Sequence, residues 1–231
     1  MPFGARIEAV IIDLDGTLLD TVPDLADAAN RMLGELGFPG RAEQEIASFV
    51  GRGIENLVAR SIGAAHAVDP AALARALAVF NRHYAAVSGV HSRVFPGVRE
   101  GLAALHAQGL QLACITNKAE RFTLPLLEQM DLRSDFALIV SGDSLPRKKP
   151  DPLQLIHVCG HFGVMPDAAL MIGDSPNDAQ AARAAGCPVA CVPYGYREGL
   201  EVRELDCDVI VSTLAEAASL IQRSNSRYAA P

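Results

Sequence analysis

The sequence predicts an α/β protein in which a doubly wound parallel sheet carries an inserted, all-helical domain. Three observations lead to this fold class. A short apolar run at 7–13 has no helical period and is typical of a buried strand. Residues from about 21 to 94 have helical spacing, with glycine and proline between the segments. From Pro96 onward, helix and strand patterns alternate, as in a parallel sheet with helices on both faces.

The elements follow from these patterns in chain order. After strand 7–13, helices are predicted in the segments DLADAANRMLGELG, IENLVARSIGA and PAALARALAVFNRHYAAV. Further helices are predicted at 97–108, 119–130, 151–162, 176–185 and 213–222. The strands that alternate with them are predicted at 111–116, 137–141, 169–173, 188–192 and 208–211. We therefore expect a core domain of residues 1–20 and 93–231, interrupted by a helical domain of residues 21–92, which we call the cap.

The composition and charge favour a globular protein that binds neither nucleic acid nor membranes. Half of the 231 residues are hydrophobic and a fifth are charged, which is typical of a globular protein. The net charge of −7 disfavours nonspecific binding to nucleic acid or to an anionic membrane. The N-terminus does not have a signal-peptide pattern, and no apolar run approaches the ~20 residues of a membrane span, so we expect a cytoplasmic protein. Monomer and homodimer are both compatible with the sequence.

Polar residues follow four of the predicted strands. The segments are Asp13-Leu14-Asp15-Gly16-Thr17, Thr116-Asn117-Lys118, Lys148-Lys149-Pro150 and Asp174-Ser175-Pro176-Asn177-Asp178. Each alone could be an ordinary turn, helix cap or solvated charge pair. A doubly wound sheet, however, brings them to one edge, where ligands bind. The four aspartates would repel one another there unless a divalent cation lay among them, and oxygen ligands indicate Mg²⁺.

The other two strand ends supply groups that suit a phosphate held beside such a metal. Thr116 offers a hydroxyl, and the lysine pair offers a cation. Pro150 restricts the preceding residue to an extended backbone, so the direction of Lys149 is more fixed than that of Lys148. Lys149 is therefore the predicted ligand.

In these motifs the chain resembles the haloacid dehalogenase superfamily of phosphatases. The resemblance covers DLDGT at 13–17, Thr116, Lys149 and GDSPND at 173–178, in the family's order, with a helical cap after the first strand. It implies a Rossmann-like core and hydrolysis of a phosphomonoester through an aspartyl-phosphate. Asp13 would be the nucleophile, and Asp15 would be the general acid and then the general base.

The resemblance also implies ligands for the metal and the phosphoryl group. The predicted metal ligands are the carboxylates of Asp13 and Asp174 and the backbone carbonyl of Asp15, with Asp178 binding a metal-bound water or orienting Lys149. The phosphoryl oxygens would be held by Thr116, the Asn117 amide and Lys149.

Substrate choice is less constrained. Longer stretches such as SGDSLPRKKPDPLQL and MIGDSPNDAQAARAAGCPV are similar to family members that hydrolyse 2-phosphoglycolate, which is the expected substrate. Sugar phosphates, N-acetylmuramate 6-phosphate and pyrophosphate stay open, as does a sugar-phosphate mutase. A phosphoacceptor signalling domain is the non-enzymatic alternative, although its phosphorylated aspartate lies on a later strand and no helical insertion is expected there.

The cap segment Gly51-Arg52-Gly53 lies between two predicted helices. It could project over the site, where Arg52 would bind a substrate carboxylate in bidentate fashion. The alternative is a simple helix–helix turn with an exposed arginine.

Overall fold

Eight strands form within residues 3–228, the part of the chain that the structure, a computed structural model, describes. They are β1 (Ala9–Asp13), β2 (Leu19–Asp20), β3 (Arg93–Val94), β4 (Gln111–Ile115), β5 (Leu138–Val140), β6 (Ala169–Gly173), β7 (Val189–Cys191) and β8 (Val209–Ile210). Residues 1–2 and 229–231, which the predicted core domain includes, lie outside the described residues.

Ten helices of the α type accompany these strands in residues 3–228. They are α1 (Val22–Glu35), α2 (Glu43–Ala47), α3 (Ile54–Ile62), α4 (Ala64–Ala67), α5 (Pro70–Val87), α6 (Val98–Ala107), α7 (Glu120–Gln129), α8 (Leu153–Phe162), α9 (Pro176–Ala185) and α10 (Leu214–Asn225). In the same part of the chain, no helix is both long and apolar enough to cross a membrane.

Six strands form one parallel sheet in the order β5-β4-β1-β6-β7-β8. Every residue of β1 is buried, because β1 lies at the centre of the sheet between β4 and β6. The chain builds outward from β1 on one side through β4 and β5, and then returns to its other side through β6. Ligands bind at such a reversal, outside the carboxyl ends of the strands. Asp13, the last residue of β1, occupies that position.

Alternate residues of β1 pack into two different hydrophobic clusters, one on each face of the sheet. Val10 and Ile12 pack in a cluster to which α6 and α10 contribute. Ala9 and Ile11 pack in a second cluster with residues of α8 and α9. Helices therefore cover both faces of the sheet. Successive side chains of a strand point to opposite faces, so a strand with only apolar residues must be buried on both. The predicted doubly wound α/β core is confirmed.

Helices α1 to α5 form between β2 and β3 and share a hydrophobic cluster of their own. Met32, Leu57, Phe80 and Tyr84 are buried in it, and Phe122 of α7 packs against them from the core. The two chain crossings between core and helices pair as the antiparallel strands β2 and β3. The domain boundaries at 20/21 and 92/93 coincide with the end of β2 and the start of β3, and the division into two domains stays a prediction.

Four short strands and α-helices were not predicted from the sequence: β2, β3, α2 and α4. Strands β2 and β3 have two residues each, too few for an alternating pattern to appear. Helix α2 has five residues and buries a single one, Ile46, so it lacks an amphipathic stripe. Helix α4 has four residues and none of them is buried, so it has no apolar stripe. Helix α10 extends to Asn225, three residues beyond its predicted end.

Candidate active site

The four polar segments converge at the carboxyl edge of the sheet. Asp13 ends β1, Thr116 directly follows β4, and Asp174 directly follows β6. Lys149 comes from the longer loop after β5 and reaches the same edge, where its Nζ lies 2.7 Å from Asp13 Oδ1. Parallel strands end on the same side of a sheet, which is why segments far apart in the sequence meet here.

Three buried carboxylates form a cluster with the chemistry of a metal site. One oxygen each from Asp13, Asp174 and Asp178 lies within 4.8 Å of the others. Burial, followed by repulsion from Asp178, raises the pKa of Asp174 to about 7. Burial also raises the pKa of Asp13 well above its usual range, and Lys149 opposes this shift. Such crowded oxygen donors fit a divalent metal ion that prefers hard ligands.

Asp174 is held by one backbone and one side-chain hydrogen bond and by the close approach of Gly16. Its Oδ2 accepts a hydrogen bond of 2.6 Å from the Tyr196 backbone N–H, and its Oδ1 accepts one of 3.1 Å from the Thr17 hydroxyl. A Cβ atom on Gly16 would lie 2.4 Å from Asp174 Oδ2, and Gly16 has a φ of +92°. Only glycine satisfies both conditions at this position without strain.

Lys149 is buried and connects two acids of the cluster. Its Nζ donates to Asp13 Oδ1 at 2.7 Å, to Asp178 Oδ1 at 2.6 Å and to the Ile115 carbonyl at 3.3 Å. Burial lowers the pKa of this ammonium group, but Asp13 and Asp178 together raise it by more, so its pKa lies above the usual range. Lys149 is therefore charged, and it holds the predicted nucleophile Asp13 in a fixed orientation.

Asp178 connects Lys149 to the start of α9. Its Oδ2 accepts hydrogen bonds from the Ser175 backbone N–H at 3.0 Å and from the Ser175 hydroxyl at 2.7 Å. Ser175 and Asp178 form a capping box, and Pro176 occupies the first turn of the helix predicted at 176–185. Of the two predicted roles of Asp178, the orientation of Lys149 has a direct contact in the structure.

The Asp15 carboxylate pairs with Lys118, whereas Asp13 and Asp178 pair with Lys149. Lys118 Nζ lies 3.0 Å from it, and the Thr21 hydroxyl donates to it at 2.7 Å. The Lys118 ammonium lies 5.1 Å from the centroid of the Tyr84 ring, on its face. Burial lowers the pKa of Lys118, but Asp15 and Tyr84 raise it by more. The importance of this lysine could not be predicted from the sequence, because nothing in the pattern Thr116-Asn117-Lys118 indicates its burial.

Thr116 and Asn117 contribute differently to the site. The Thr116 hydroxyl oxygen accepts a hydrogen bond of 3.1 Å from the Lys118 backbone N–H, which leaves its hydrogen available for donation. The Asn117 side chain donates to the carbonyls of Gly51 and Lys149, both at 2.8 Å. Asn117 therefore connects the cap loop to the segment that carries Lys149, and its predicted contact with a phosphoryl oxygen stays a prediction.

A cleft of about 420 Å³, counted with the space at its mouth, lies between core and cap. The core side is lined by Asp13, Asp15, Thr116, Asn117 and Lys118. The cap side is lined by Leu25, Val50, Gly51, Gly53, Ile54 and Leu57.

Arg52 is not among the residues that line this cleft, although its neighbours Gly51 and Gly53 are. Its Nε lies 3.0 Å from Glu198 Oε2, and 59% of its side-chain area is exposed. Glu198 also accepts a hydrogen bond from Asn177 at the start of α9. The structure thus joins the Gly51-Arg52-Gly53 loop to the core through Glu198, and the predicted contact of Arg52 with substrate stays a prediction.

These features define an active site of the haloacid dehalogenase class. A buried aspartate ends the central strand, a lysine is bound to it, and a second aspartate follows two residues later. Further aspartates follow a neighbouring strand. The chain belongs to the haloacid dehalogenase-like hydrolase family, whose sequence pattern it matches over residues 10–192. It is therefore an enzyme, and the alternative of a signalling domain is excluded.

Similar proteins cover nearly the whole chain. It is 56% identical to a phosphoglycolate phosphatase of Nitrosospira multiformis over 97% of its own length and all of the relative's. It is 54% identical to a phosphoglycolate phosphatase of Thiobacillus denitrificans, over 96% of this chain and 99% of that one. The crystal structure of a predicted phosphoglycolate phosphatase from Haemophilus somnus superposes with a TM-score of 0.89 at 32% identity, covering 94% of this chain and 99% of that one.

Proposed function

We propose that the protein is a Mg²⁺-dependent phosphatase that hydrolyses 2-phosphoglycolate to glycolate and inorganic phosphate. The observation that carries this proposal is the similarity to phosphoglycolate phosphatases along the full length of the chain, 56% identity over 227 residues. Because that similarity includes the cap as well as the core, it extends to the segment that covers the substrate. The free thiols at Cys114, Cys159, Cys187 and Cys191 suit a reducing compartment, and we infer a cytoplasmic location.

The metal would be held by the carboxylates of Asp13 and Asp174 and by the backbone carbonyl of Asp15. Asp178 would bind a water molecule of the metal or orient Lys149, and its contact with Lys149 supports the second role. When bound, Mg²⁺ supplies positive charge that offsets the repulsion between an anionic nucleophile and an anionic phosphate. The raised pKa values of Asp13 and Asp174 support this assignment, because a cation is what such a cluster of carboxylates needs.

In the first chemical step, a carboxylate oxygen of Asp13 forms a bond to phosphorus, and the bond from phosphorus to the ester oxygen breaks. Lys149 holds Asp13 Oδ1 at 2.7 Å and so limits the orientations that the nucleophile can adopt. Asp15 gives its proton to the departing alkoxide, which leaves as glycolate. The Thr116 hydroxyl and the Asn117 amide hold the phosphoryl oxygens as their charge increases, and the Lys149 ammonium supplies positive charge beside them.

In the second step, Asp15 takes a proton from water, and the water oxygen bonds to phosphorus. The bond between phosphorus and Asp13 breaks, which releases inorganic phosphate and restores the Asp13 carboxylate. Asp15 ends this step protonated, ready for the next cycle, so protons balance over one turnover.

The cap of residues 21–92 would close over the core of residues 1–20 and 93–231 and exclude bulk water from the intermediate. The apolar side chains of Leu25, Val50, Ile54 and Leu57 along the cap side of the cleft support this role. Asn117 supports it as well, because its side chain bonds to the cap carbonyl of Gly51 from the core.

The experiment that tests the proposal compares kcat/KM for 2-phosphoglycolate, hexose phosphates, N-acetylmuramate 6-phosphate and pyrophosphate in Mg²⁺ buffer. Incubation with glucose 1-phosphate and analysis for isomerised product tests for mutase activity. We expect the highest kcat/KM for 2-phosphoglycolate and no isomerisation. A higher value for any other ester would refute the substrate assignment and leave the phosphatase chemistry in place.

A further inference from the structure

We propose that Lys118 determines substrate specificity by binding the carboxylate of the substrate, a role separate from that of Lys149. This inference rests on the proposed hydrolysis of 2-phosphoglycolate. It concerns how an enzyme selects a molecule that consists of little more than a phosphate, a methylene group and a carboxylate. Selection must come from the carboxylate, because the methylene offers almost no apolar surface.

Lys149 is already committed next to the phosphoryl position. An ammonium group donates three hydrogen bonds, and Lys149 has three acceptors: Asp13, Asp178 and the Ile115 carbonyl. These acceptors use all three of its N–H groups. A second anionic group of the substrate, at the opposite end of the molecule from phosphorus, needs another cation.

Lys118 is largely buried, but it has the position and the free bonding capacity for that role. It lines the cleft, and within residues 3–228 it is the one lysine or arginine that does so. Its ammonium contacts a single carboxylate, that of Asp15, at 3.0 Å, while the ring of Tyr84 lies on another side at 5.1 Å. The aromatic face restrains the ammonium without using an N–H, so hydrogen-bonding capacity is left for a ligand.

The contact between Lys118 and Asp15 places the lysine at the correct distance along the substrate. Asp15, as the proposed general acid, must reach the ester oxygen of the substrate. In 2-phosphoglycolate the carboxylate is separated from that oxygen by a single methylene group. A cation in direct contact with Asp15 is therefore next to the position that the carboxylate occupies.

The apolar cap side of the cleft also favours pairing of a substrate carboxylate with Lys118. Leu25, Val50, Ile54 and Leu57 line the cap side, and a carboxylate among such side chains is unfavourable unless it is paired. The other nearby cations are directed elsewhere. Arg52 pairs with Glu198 and is largely exposed. Lys148 does not line the cleft; it is an exposed residue of an adjoining groove that shares Ile54 and Asn117 with it.

A matched pair of substrates isolates the carboxylate. In 2-hydroxyethyl phosphate an uncharged hydroxymethyl group replaces the carboxylate of 2-phosphoglycolate, and the phosphate ester is otherwise the same. The measured quantity is the ratio of kcat/KM for 2-phosphoglycolate to that for 2-hydroxyethyl phosphate, in the wild-type protein and in Lys118→Met. Lys148→Met is the control, because it removes the same charge from a lysine outside the cleft.

We expect the ratio to fall about tenfold or more in Lys118→Met, mainly through KM for 2-phosphoglycolate, since a charge-assisted hydrogen bond to the carboxylate is lost. In Lys148→Met it should stay within about twofold of wild type. Should Lys118→Met fail to fold, Lys118→Gln takes its place, because it keeps a hydrogen-bond donor for Asp15 without the charge. A merely structural role of Lys118 would slow both substrates alike and leave the ratio unchanged.

An unchanged ratio in the Lys118 variant, with wild type preferring 2-phosphoglycolate, overturns the role of Lys118 and leaves the proposed function in place. A wild-type enzyme that does not distinguish the two esters refutes carboxylate recognition itself, and with it the proposed substrate. The two failures are therefore distinguishable in the same experiment.

Discussion

Asp174→Asn should make the metal-free protein more stable while it abolishes the stabilisation by Mg²⁺. In the folded chain, burial and the neighbouring Asp178 raise the pKa of Asp174 from 3.8 to about 7. The folded state therefore binds a proton more tightly than the unfolded state does. Without metal, the stability that this proton provides is present below about pH 4 and is lost as the pH rises through about 7.

The size of this effect follows from the pKa difference. Each pKa unit corresponds to about 1.4 kcal/mol, so the ionised Asp174 costs about 4 kcal/mol above neutral pH in the absence of metal. Asparagine removes this cost and weakens the hydrogen bonds from Tyr196 and Thr17, at about 1 kcal/mol. The net gain of about 3 kcal/mol corresponds to a rise in Tm of about 6–12 °C for a chain of this length.

Thermal unfolding in EDTA, followed by circular dichroism at several pH values between about 4 and 8, measures this effect. The Tm of wild type should fall across this range, and that of Asp174→Asn should fall much less. Addition of Mg²⁺ should raise the Tm of wild type only, because binding to the native state stabilises it. Asp167→Asn, the same change at an exposed position, is the control and should behave as wild type. An Asp174→Asn protein less stable than wild type in EDTA near pH 8 would refute the view that the acids repel one another.

Three further predictions concern the reaction. Asp13→Asn should lower kcat by several orders of magnitude while the circular dichroism spectrum stays that of a folded protein, and retention of a tenth of the wild-type kcat would contradict the nucleophile assignment. Exhaustive EDTA treatment should abolish turnover; Mg²⁺ should restore it, and Ca²⁺ should restore it poorly because its longer, more variable coordination misplaces the nucleophile. Arg52→Ala should raise KM for 2-phosphoglycolate and barely affect p-nitrophenyl phosphate if Arg52 reaches the substrate. An equal effect on both esters would assign Arg52 to the contact with Glu198 alone.

The sequence predicts the core well because its signals are local. Helix α9 begins at Pro176 and ends before Gly186, whose φ is +81°, so proline and glycine define both ends in the sequence itself. The fully buried strand β1 and its neighbours are recognisable as apolar runs of the correct length. Strands β2 and β3 cannot be recognised from local sequence in this way. They have two residues each and depend on a contact between chain segments more than 70 residues apart.

In the candidate site, too, residues that depend on local patterns could be predicted, and residues that depend on distant contacts could not. The positions of Asp13, Thr116 and Asp174 follow from the strands they terminate, and the sequence predicts those strands. The burial of Lys118 depends on Asp15 and Tyr84, which come from the first core segment and from the cap, and local patterns do not report such pairings. Charged residues are rarely buried without a partner, so the partner has to be known before the burial can be predicted.

The proposed mechanism requires that Asp13 carries the phosphoryl group during turnover. It is tested most directly by rapid quenching of the enzyme with 2-phosphoglycolate and Mg²⁺, followed by borohydride reduction, which converts an acyl phosphate to an alcohol, and peptide mass spectrometry. We predict a reduced residue at position 13 that appears only when substrate and metal are both present. Normal hydrolysis in the same samples, with position 13 unmodified or with the modification on another residue, would contradict this mechanism.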